Sequence, residues 1–203
     1  MDALSLERYQ GLPAAAVYES NGRRGDMSPR IRPLFDAARL IGPAFTVKCW
    51  PGDLGAMRWA VDHAAPGDVL VIDAGDTGEM AFWGGGATIA AQRRGLAGIV
   101  TNGAVRDAAQ IREAGFPVFA AGIALRAGTR HHPGWTGIAV SVGDVAVRPG
   151  DLVVGDLDGV VVVAAEQVRE VLERAAERQR EDGAREARLR AGEPYDIGGE
   201  HAS

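Results

Sequence analysis

The chain has 203 residues, of which 46% are hydrophobic and 24% charged, and its formal net charge is −5. Such a chain can bury a full core, and its acidic balance argues against a nucleic-acid-binding protein, which needs a clustered basic face. No apolar run reaches the roughly 20 residues that cross a bilayer, and Met1–Arg8 lacks the regions of a signal peptide. We therefore expect one cytoplasmic domain over residues 1–203, with no nucleic-acid or membrane partner.

Residues 1–40 are expected to form helices and loops, after which strands and helices alternate. The predicted elements are a strand over 42–50, a helix over 54–65, a strand over 69–73, a helix over 88–94, a strand over 96–101, a helix over 108–114 and a strand over 116–120. This alternation is typical of βαβ units, and short strands that are apolar throughout are usually buried in a parallel sheet. The pattern predicts an α/β fold.

From Ile138 onward the sequence predicts a β meander packed on the α/β part. Its short strands, joined by tight turns, are expected over 138–142, 145–147, 152–154 and 160–163. The C-terminal region 165–195 predicts a long charged helix over residues 165–190, whose apolar stripe fades after Ala176. The helix either faces solvent or reaches a neighbouring subunit.

Single residue types limit the chemistry. Cys49 is the only cysteine, so the chain has no internal disulfide and no cysteine-based zinc site. Lys48 is the only lysine, and we expect it to face solvent from a strand, whereas Schiff-base catalysis needs an activated lysine. A metal ion is therefore the expected electron sink if the protein breaks C–C bonds. The histidines show no ligand spacing; they are His63, His131, His132 and His201.

Four small residues precede the helix predicted over 88–94: Gly84, Gly85, Gly86 and Ala87. A glycine cluster that opens a helix presents free backbone N–H groups to an anion. We therefore predict that these residues bind substrate, although a merely flexible loop would have the same composition.

Arg106 and Asp107 follow a predicted strand, at the carboxyl end where open α/β sheets bind ligands. The Arg106 guanidinium either binds a carboxylate bidentately or has a structural role, capping a helix or forming a salt bridge. Asp107 either ligates Mg²⁺ or Mn²⁺ or caps the helix that begins at Ala108. An anion cradle, a cation and a metal ligand in one βα unit suit a small oxo-acid such as pyruvate. Asp73 and Asp76 follow another strand, where we expect them to form a turn.

Four segments together resemble the RraA-like family over roughly residues 10–195: 42–47, 67–73, 85–107 and 148–163. That family includes regulators of ribonuclease E activity and metal-dependent 4-hydroxy-4-methyl-2-oxoglutarate aldolases. The resemblance implies a swivelling β/β/α-type single domain that assembles as a homotrimer or homohexamer.

The resemblance also implies a function. In the aldolases the arginine that matches Arg106 holds pyruvate, the aspartate that matches Asp107 binds Mg²⁺ or Mn²⁺, and amides after the glycine bind carboxylate. Arg106 and Asp107 would be catalytic in a metal-dependent lyase, a class II pyruvate aldolase or oxaloacetate decarboxylase acting on a 2-oxo acid such as 4-hydroxy-4-methyl-2-oxoglutarate. One alternative is a non-catalytic regulatory binding protein of the ribonuclease E inhibitor type, and another is a different small-molecule chemistry on the same scaffold. Acidic residues of a neighbouring subunit's C-terminal helix would order metal-bound waters; the candidates are Glu181, Asp182 and Glu186.

Three positions depart from the aldolase pattern. Gln110 stands where the aldolases have an acidic residue, Leu54 replaces an asparagine that helps to hold substrate, and Gly85 replaces a carboxylate. Because losses around a metal site often lower affinity or activity about 10- to 100-fold, we expect metal binding to persist and the aldolase activity to be weakened or redirected.

Overall fold

The computed structural model describes residues 3–75 and 79–195. Its strands are β1 (Arg32–Pro33), β2 (Leu40–Lys48), β3 (Val69–Asp73), β4 (Ala81–Trp83), β5 (Gly98–Val105), β6 (Val118–Ile123), β7 (Trp135–Thr136), β8 (Val140–Val142), β9 (Val145–Val147), β10 (Leu152–Asp156) and β11 (Gly159–Val163). Its α-helices are α1 (Ala3–Tyr9), α2 (Ala14–Ser20), α3 (Gly55–His63), α4 (Gly85–Arg94), α5 (Ala108–Glu113) and α6 (Val168–Arg190). None of these helices is long and apolar enough to cross a membrane.

Within the described residues the main sheet has nine strands, seven of them in the order β1-β6-β5-β3-β2-β10-β11. The central strands β2, β3, β5 and β6 are parallel, and β3 is buried along its whole length. β4 adds to the end of β5 in parallel, while β7 pairs antiparallel with β2. This confirms the α/β class with a parallel centre and a long C-terminal helix.

The predicted meander is wrong as a unit, because its strands divide between two sheets. β10 joins the main sheet antiparallel to β2 and pairs with β11, whereas β8 and β9 form a separate hairpin. Alternating apolar residues predict strands, but strand partners depend on contacts remote in sequence. Sequence analysis also missed the three-residue strand β4 and the two-residue strands β1 and β7.

In the part of the chain that the structure describes, three buried clusters of apolar side chains stabilise the fold. One lies between the sheet and α3, α4 and α5, with Phe82, Ile99 and Ile111 among its fully buried members. A second packs the β8–β9 hairpin against the opposite face. The third joins α1, α2 and α6 to β10 and β11, with Tyr9 and Leu172 at its centre. The helices α3 and α4 are thereby fixed beside the carboxyl ends of the parallel strands.

Candidate functional site

β4 and β5 end side by side, which brings the two predicted motifs together. Trp83 is paired with Val105, and the Arg106 N–H donates to the Trp83 carbonyl at 3.0 Å. The chain continues into the glycines after β4 and into Arg106 and Asp107 after β5. Segments separated by about 20 residues in sequence therefore become neighbours because two parallel strands share one end of the sheet.

Asp107 does not cap α5, so the capping alternative is wrong. Its backbone is left-handed, with φ 58°, and its side chain makes no cap hydrogen bond. An aspartate tolerates this conformation better than most residues. The carboxylate turns instead toward α4, where Oδ2 accepts the Gly85 N–H at 2.9 Å. Arg106 Nε lies 3.8 Å from the same Oδ2.

The glycines form the ordered start of a helix, so the flexible-loop alternative is wrong as well. Gly84 is the N-cap of α4, and the helix begins at Gly85, three residues earlier than predicted. The N–H groups of Gly86 and Ala87 lie in the first turn, where no helical carbonyl is available to accept them. The helix N-terminus therefore offers donors beside the Asp107 carboxylate.

These residues line a cleft of about 410 Å³ between α3, α4 and the end of β5. It contains the predicted Gly84, Gly86, Ala87, Arg106 and Asp107. It also contains three charged residues that sequence analysis missed: Arg58, Asp62 and Arg130. Arg58 and Asp62 each come directly after a residue of the apolar stripe of α3, Met57 and Val61 respectively. This position beside the buried face of the helix was the only local indication that they could line a cleft. Arg130 lies in a loop with no motif.

The buried side chain of Asp53 joins this loop to the start of α3. Its Oδ2 accepts the Thr129 hydroxyl at 2.6 Å and the His131 N–H at 2.7 Å, while Oδ1 accepts the Gly55 N–H at 2.8 Å. Burial alone would raise the pKa of this carboxyl, but the hydrogen bonds from Thr129, His131 and Gly55 outweigh it and lower the pKa to about 2. Asp53 is therefore a fixed anion that shapes one wall of the cleft.

Lys48 is engaged elsewhere, at the ends of β2 and β3. Its Nζ lies 2.6 Å from Asp73 Oδ2, and Asp73 Oδ1 accepts from the Gly75 N–H and the Asn102 amide. Burial raises the pKa of Asp73, yet the Lys48 hydrogen bond and these donors lower it overall. Neither Lys48 nor Asp73 lines the cleft, which argues against Schiff-base chemistry there. The predicted turn at Asp73 is observed; Asp76 and His201 lie outside the described residues.

Two of the three departures from the aldolase pattern are linked in space. A side chain at position 85 would run into the amide end of Gln110, so Gln110 takes the room that a residue at 85 would need. Gln110 does not line the cleft, whereas Leu54 does. Gly85 and Gln110 therefore change the residues packed next to Asp107, and Leu54 makes one wall of the cleft apolar.

Alanine substitutions at Gly84 and Gly85 distinguish the glycine that contacts Asp107 and Arg106 from the glycine that contacts Gln110. In Gly84→Ala the new Cβ would lie 2.8 Å from Asp107 Oδ2 and 3.2 Å from Arg106 Cγ, so both side chains must move. We expect any activity that depends on the positions of Arg106 and Asp107 to fall about 100-fold, as for other misplacements of about 1 Å. In Gly85→Ala only the flexible end of Gln110 must move, and activity should stay within about threefold. Steady-state kinetics, with melting curves to verify folding, compare the two; equal activities would contradict this geometry.

The cleft fits a Mg²⁺ or Mn²⁺ site with a single protein carboxylate. No cluster of three or more histidine, cysteine, aspartate or glutamate side chains within residues 3–75 and 79–195 could enclose a metal. Mg²⁺, however, commonly takes one or two carboxylates and completes its shell with water and substrate oxygens. Asp107 uses only Oδ2 in hydrogen bonds to described residues, so Oδ1 is available. A closed four-ligand zinc site is not supported.

A mixed sheet with a parallel centre defines an α/β protein, and its cleft lies at the carboxyl ends of the parallel strands. The family model for RraA-like proteins (aldolase/RraA) matches residues 4–162, and the chain belongs to this family. A Halalkalibacterium halodurans protein named "Putative 4-hydroxy-4-methyl-2-oxoglutarate aldolase" is 35% identical over 89% of this chain and 86% of its own. An uncharacterised Methanocaldococcus jannaschii protein is 35% identical over 82% of each chain.

Solved structures agree on the fold. Streptomyces coelicolor RraAS2, described as an unusual member of the RNase ES inhibitor RraA family, has a TM-score of 0.82 at 28% identity, over 91% of this chain and 97% of that one. An uncharacterised Pseudomonas syringae protein has a TM-score of 0.86 at 23% identity, over 96% of both chains. The family thus contains proteins named as aldolases and proteins named as ribonuclease inhibitors.

Proposed function

We propose that the protein is a metal-dependent lyase that releases pyruvate from a 2-oxo acid. The observation that carries this proposal is the position of Arg106 and Asp107 beside the first turn of α4 in one cleft. The Arg106 guanidinium can bind the 1-carboxylate bidentately, and the Gly86 and Ala87 N–H groups supply further donors to an oxyanion.

Asp107 would hold Mg²⁺ or Mn²⁺, which when bound polarises the 2-oxo group as a Lewis acid. In retro-aldol cleavage the C3–C4 bond breaks, its electron pair passes to C3, and the proton of the C4 hydroxyl leaves to a base. In decarboxylation of oxaloacetate the same bond breaks and CO₂ leaves, so no hydroxyl proton has to be removed. In both reactions C3 then takes up a proton to give pyruvate, while Arg106 keeps the carboxylate in place.

Oxaloacetate is therefore the simplest substrate for a test. We expect the wild-type protein to release pyruvate in the presence of Mg²⁺ or Mn²⁺ and to stop after addition of EDTA. Because metal ions alone decarboxylate oxaloacetate slowly, the background is measured with Arg106→Gln under the same conditions. A rate no faster than this background at any metal concentration would overturn the lyase proposal. The alternative, a regulatory protein of the ribonuclease E inhibitor type, would then be favoured.

We also propose that the chain assembles as a homotrimer or homohexamer. Large apolar side chains stand exposed at the end of β6 and in the loop that follows it, with Ile123 at 65% and Leu125 at 92% exposure, and Trp135 is half-exposed on β7. Such surfaces are typical of protein interfaces. The acidic candidates on α6 do not line the cleft of their own chain, so their role depends on this assembly. Sedimentation analysis measures the oligomeric state.

A further inference from the structure

The cleft is larger than a pyruvate unit requires. Its volume of about 410 Å³ suits a ligand well beyond three carbon atoms, whereas Arg106, Asp107 and the first turn of α4 use only part of its lining. The charged lining residues Arg58, Asp62 and Arg130 are exposed. The buried lining residues are apolar without exception among those described: Leu54, Met57, Val61, Ala81, Phe82 and Trp83. The cleft therefore has a charged rim and an apolar interior.

One side of this interior is a strip of α3 and its N-cap. Leu54, Met57 and Val61 recur at the spacing of a single helix face and extend about 10 Å along the helix axis. We call these three residues the apolar wall. Leu54 is fixed at the end of the wall nearest the loop after β6, because its N–H donates to the Thr129 carbonyl at 2.9 Å.

The side facing the apolar wall consists of the smallest residues of α4. Gly86, Ala87 and Ala90 line the cleft, and a Cβ at Gly86 would meet no atom within 4 Å. Ala87 and Ala90 are half-buried against the apolar cluster beneath α3 and α4. Protein interiors are normally filled by side chains, whereas here the small residues leave space between the two helices for a ligand.

The chemistry of the interior selects what can fill this space. Trp83 is the one buried lining side chain with an N–H group, and it already donates to the Thr88 hydroxyl at 2.8 Å. A polar substituent pressed against the apolar wall would lose its hydrogen bonds to water without replacement. Each CH₂ group buried there would instead strengthen binding about fourfold. The interior therefore favours an apolar substituent.

We infer that the apolar wall is a specificity determinant that binds an apolar substituent on C4 of the substrate, with Leu54 as the residue that sets this preference. The inference rests on the proposed function, in which Arg106 holds the 1-carboxylate. It assigns the substrate class as 4-hydroxy-2-oxo acids with an apolar group on C4. When the C3–C4 bond breaks and C3 takes up a proton, the C4 hydroxyl loses its proton and becomes the carbonyl of an apolar aldehyde or ketone, released beside pyruvate.

The test compares pyruvate with 4-methyl-2-oxopentanoate, which share the 2-oxo carboxylate and differ by an isopropyl group. Neither has the 4-hydroxyl or the 3-carboxylate that cleavage needs, so calorimetry in saturating Mg²⁺ measures binding alone. We expect the wild type to bind 4-methyl-2-oxopentanoate at least about tenfold more tightly. Leu54→Asn, which keeps a favourable N-cap residue for α3, and Ala90→Leu, which fills the facing side, should each reduce this preference at least about fivefold. Affinity for pyruvate should stay within about twofold.

Each substitution has a matched control outside the cleft. Leu157→Asn changes an exposed leucine in the turn between β10 and β11, and Ala109→Leu changes an exposed alanine of α5. Both should keep the wild-type preference. Melting curves verify folding, and because Leu54 and Ala90 lie on opposite sides of the cleft, either folded variant decides the question.

The outcomes separate this inference from the proposal on which it rests. Equal wild-type affinity for the two acids, or an unchanged preference in a folded Leu54→Asn or Ala90→Leu variant, would overturn the specificity of the apolar wall. If the protein still released pyruvate from oxaloacetate, the lyase proposal would stand. Failure of the wild type both to bind the two acids and to release pyruvate from oxaloacetate would overturn both.

Discussion

Replacing Asp107 by asparagine is expected to lower metal-dependent pyruvate release from oxaloacetate about 1,000-fold. Lewis-acid stabilisation is worth several kcal/mol of barrier, and each 1.36 kcal/mol is a factor of ten in rate. Asparagine removes the charge but keeps the rest of the geometry. Its carbonyl can still accept the Gly85 N–H that Asp107 accepts at 2.9 Å, and it also tolerates the left-handed backbone at φ 58°.

The chain offers a close control for this substitution. Asp144 is the other aspartate with a left-handed backbone among the described residues, with φ 65°, and it lies in the β8–β9 turn outside the cleft. Asp144→Asn therefore repeats the change in charge and backbone context without touching the site. We expect normal kinetics from it.

Mn²⁺ binding, followed by electron paramagnetic resonance, provides a readout besides activity. We expect the wild type and Asp144→Asn to bind Mn²⁺ and Asp107→Asn to bind it at least about tenfold more weakly. If Asp107→Asn bound Mn²⁺ like the wild type, or released pyruvate at the wild-type rate, Asp107 would not be the metal ligand.

The sequence predicted the parts of the fold and site that depend on short-range pattern. The apolar run Val69–Asp73 forms the predicted strand, because a strand buried on both faces has no polar interruption. Arg106 and Asp107 were placed at a strand end because they follow such a run directly. The glycines were placed at a helix start, and β4 brings them beside the Arg-Asp pair.

The features that sequence analysis missed all depend on contacts remote in sequence. Asp107 occupies a favourable N-cap position, yet the Gly85 N–H, 22 residues away, draws its carboxylate out of the capping geometry. Arg130 follows no local pattern and reaches the cleft through backbone bonds between its loop and the start of α3. Gly85 and Gln110 are 25 positions apart, and only the structure shows that the Gln110 side chain fills the space that a side chain at position 85 would need.

Asp53→Asn is expected to destabilise the fold by about 3 kcal/mol at pH 7, because hydrogen bonds to a buried charged group contribute about 1.5–3 kcal/mol each. The wild-type carboxylate accepts from Thr129, His131 and Gly55. An asparagine has one carbonyl oxygen, so its NH₂ must face an N–H or hydroxyl donor. Urea denaturation measures the free energy of unfolding, with the exposed Asp36→Asn as control.

The pH dependence of the free energy of unfolding provides a second, independent test of this prediction. The folded-state pKa of Asp53 is about 2, below its usual value near 4. Its contribution is therefore complete above about pH 4 and is lost as the pH falls toward 2. The difference in unfolding free energy between wild type and Asp53→Asn should be constant from pH 7 to pH 5 and shrink below pH 4. A difference that stayed constant to pH 3 would mean that hydrogen bonds to the charged carboxylate do not hold the loop of Arg130 against α3.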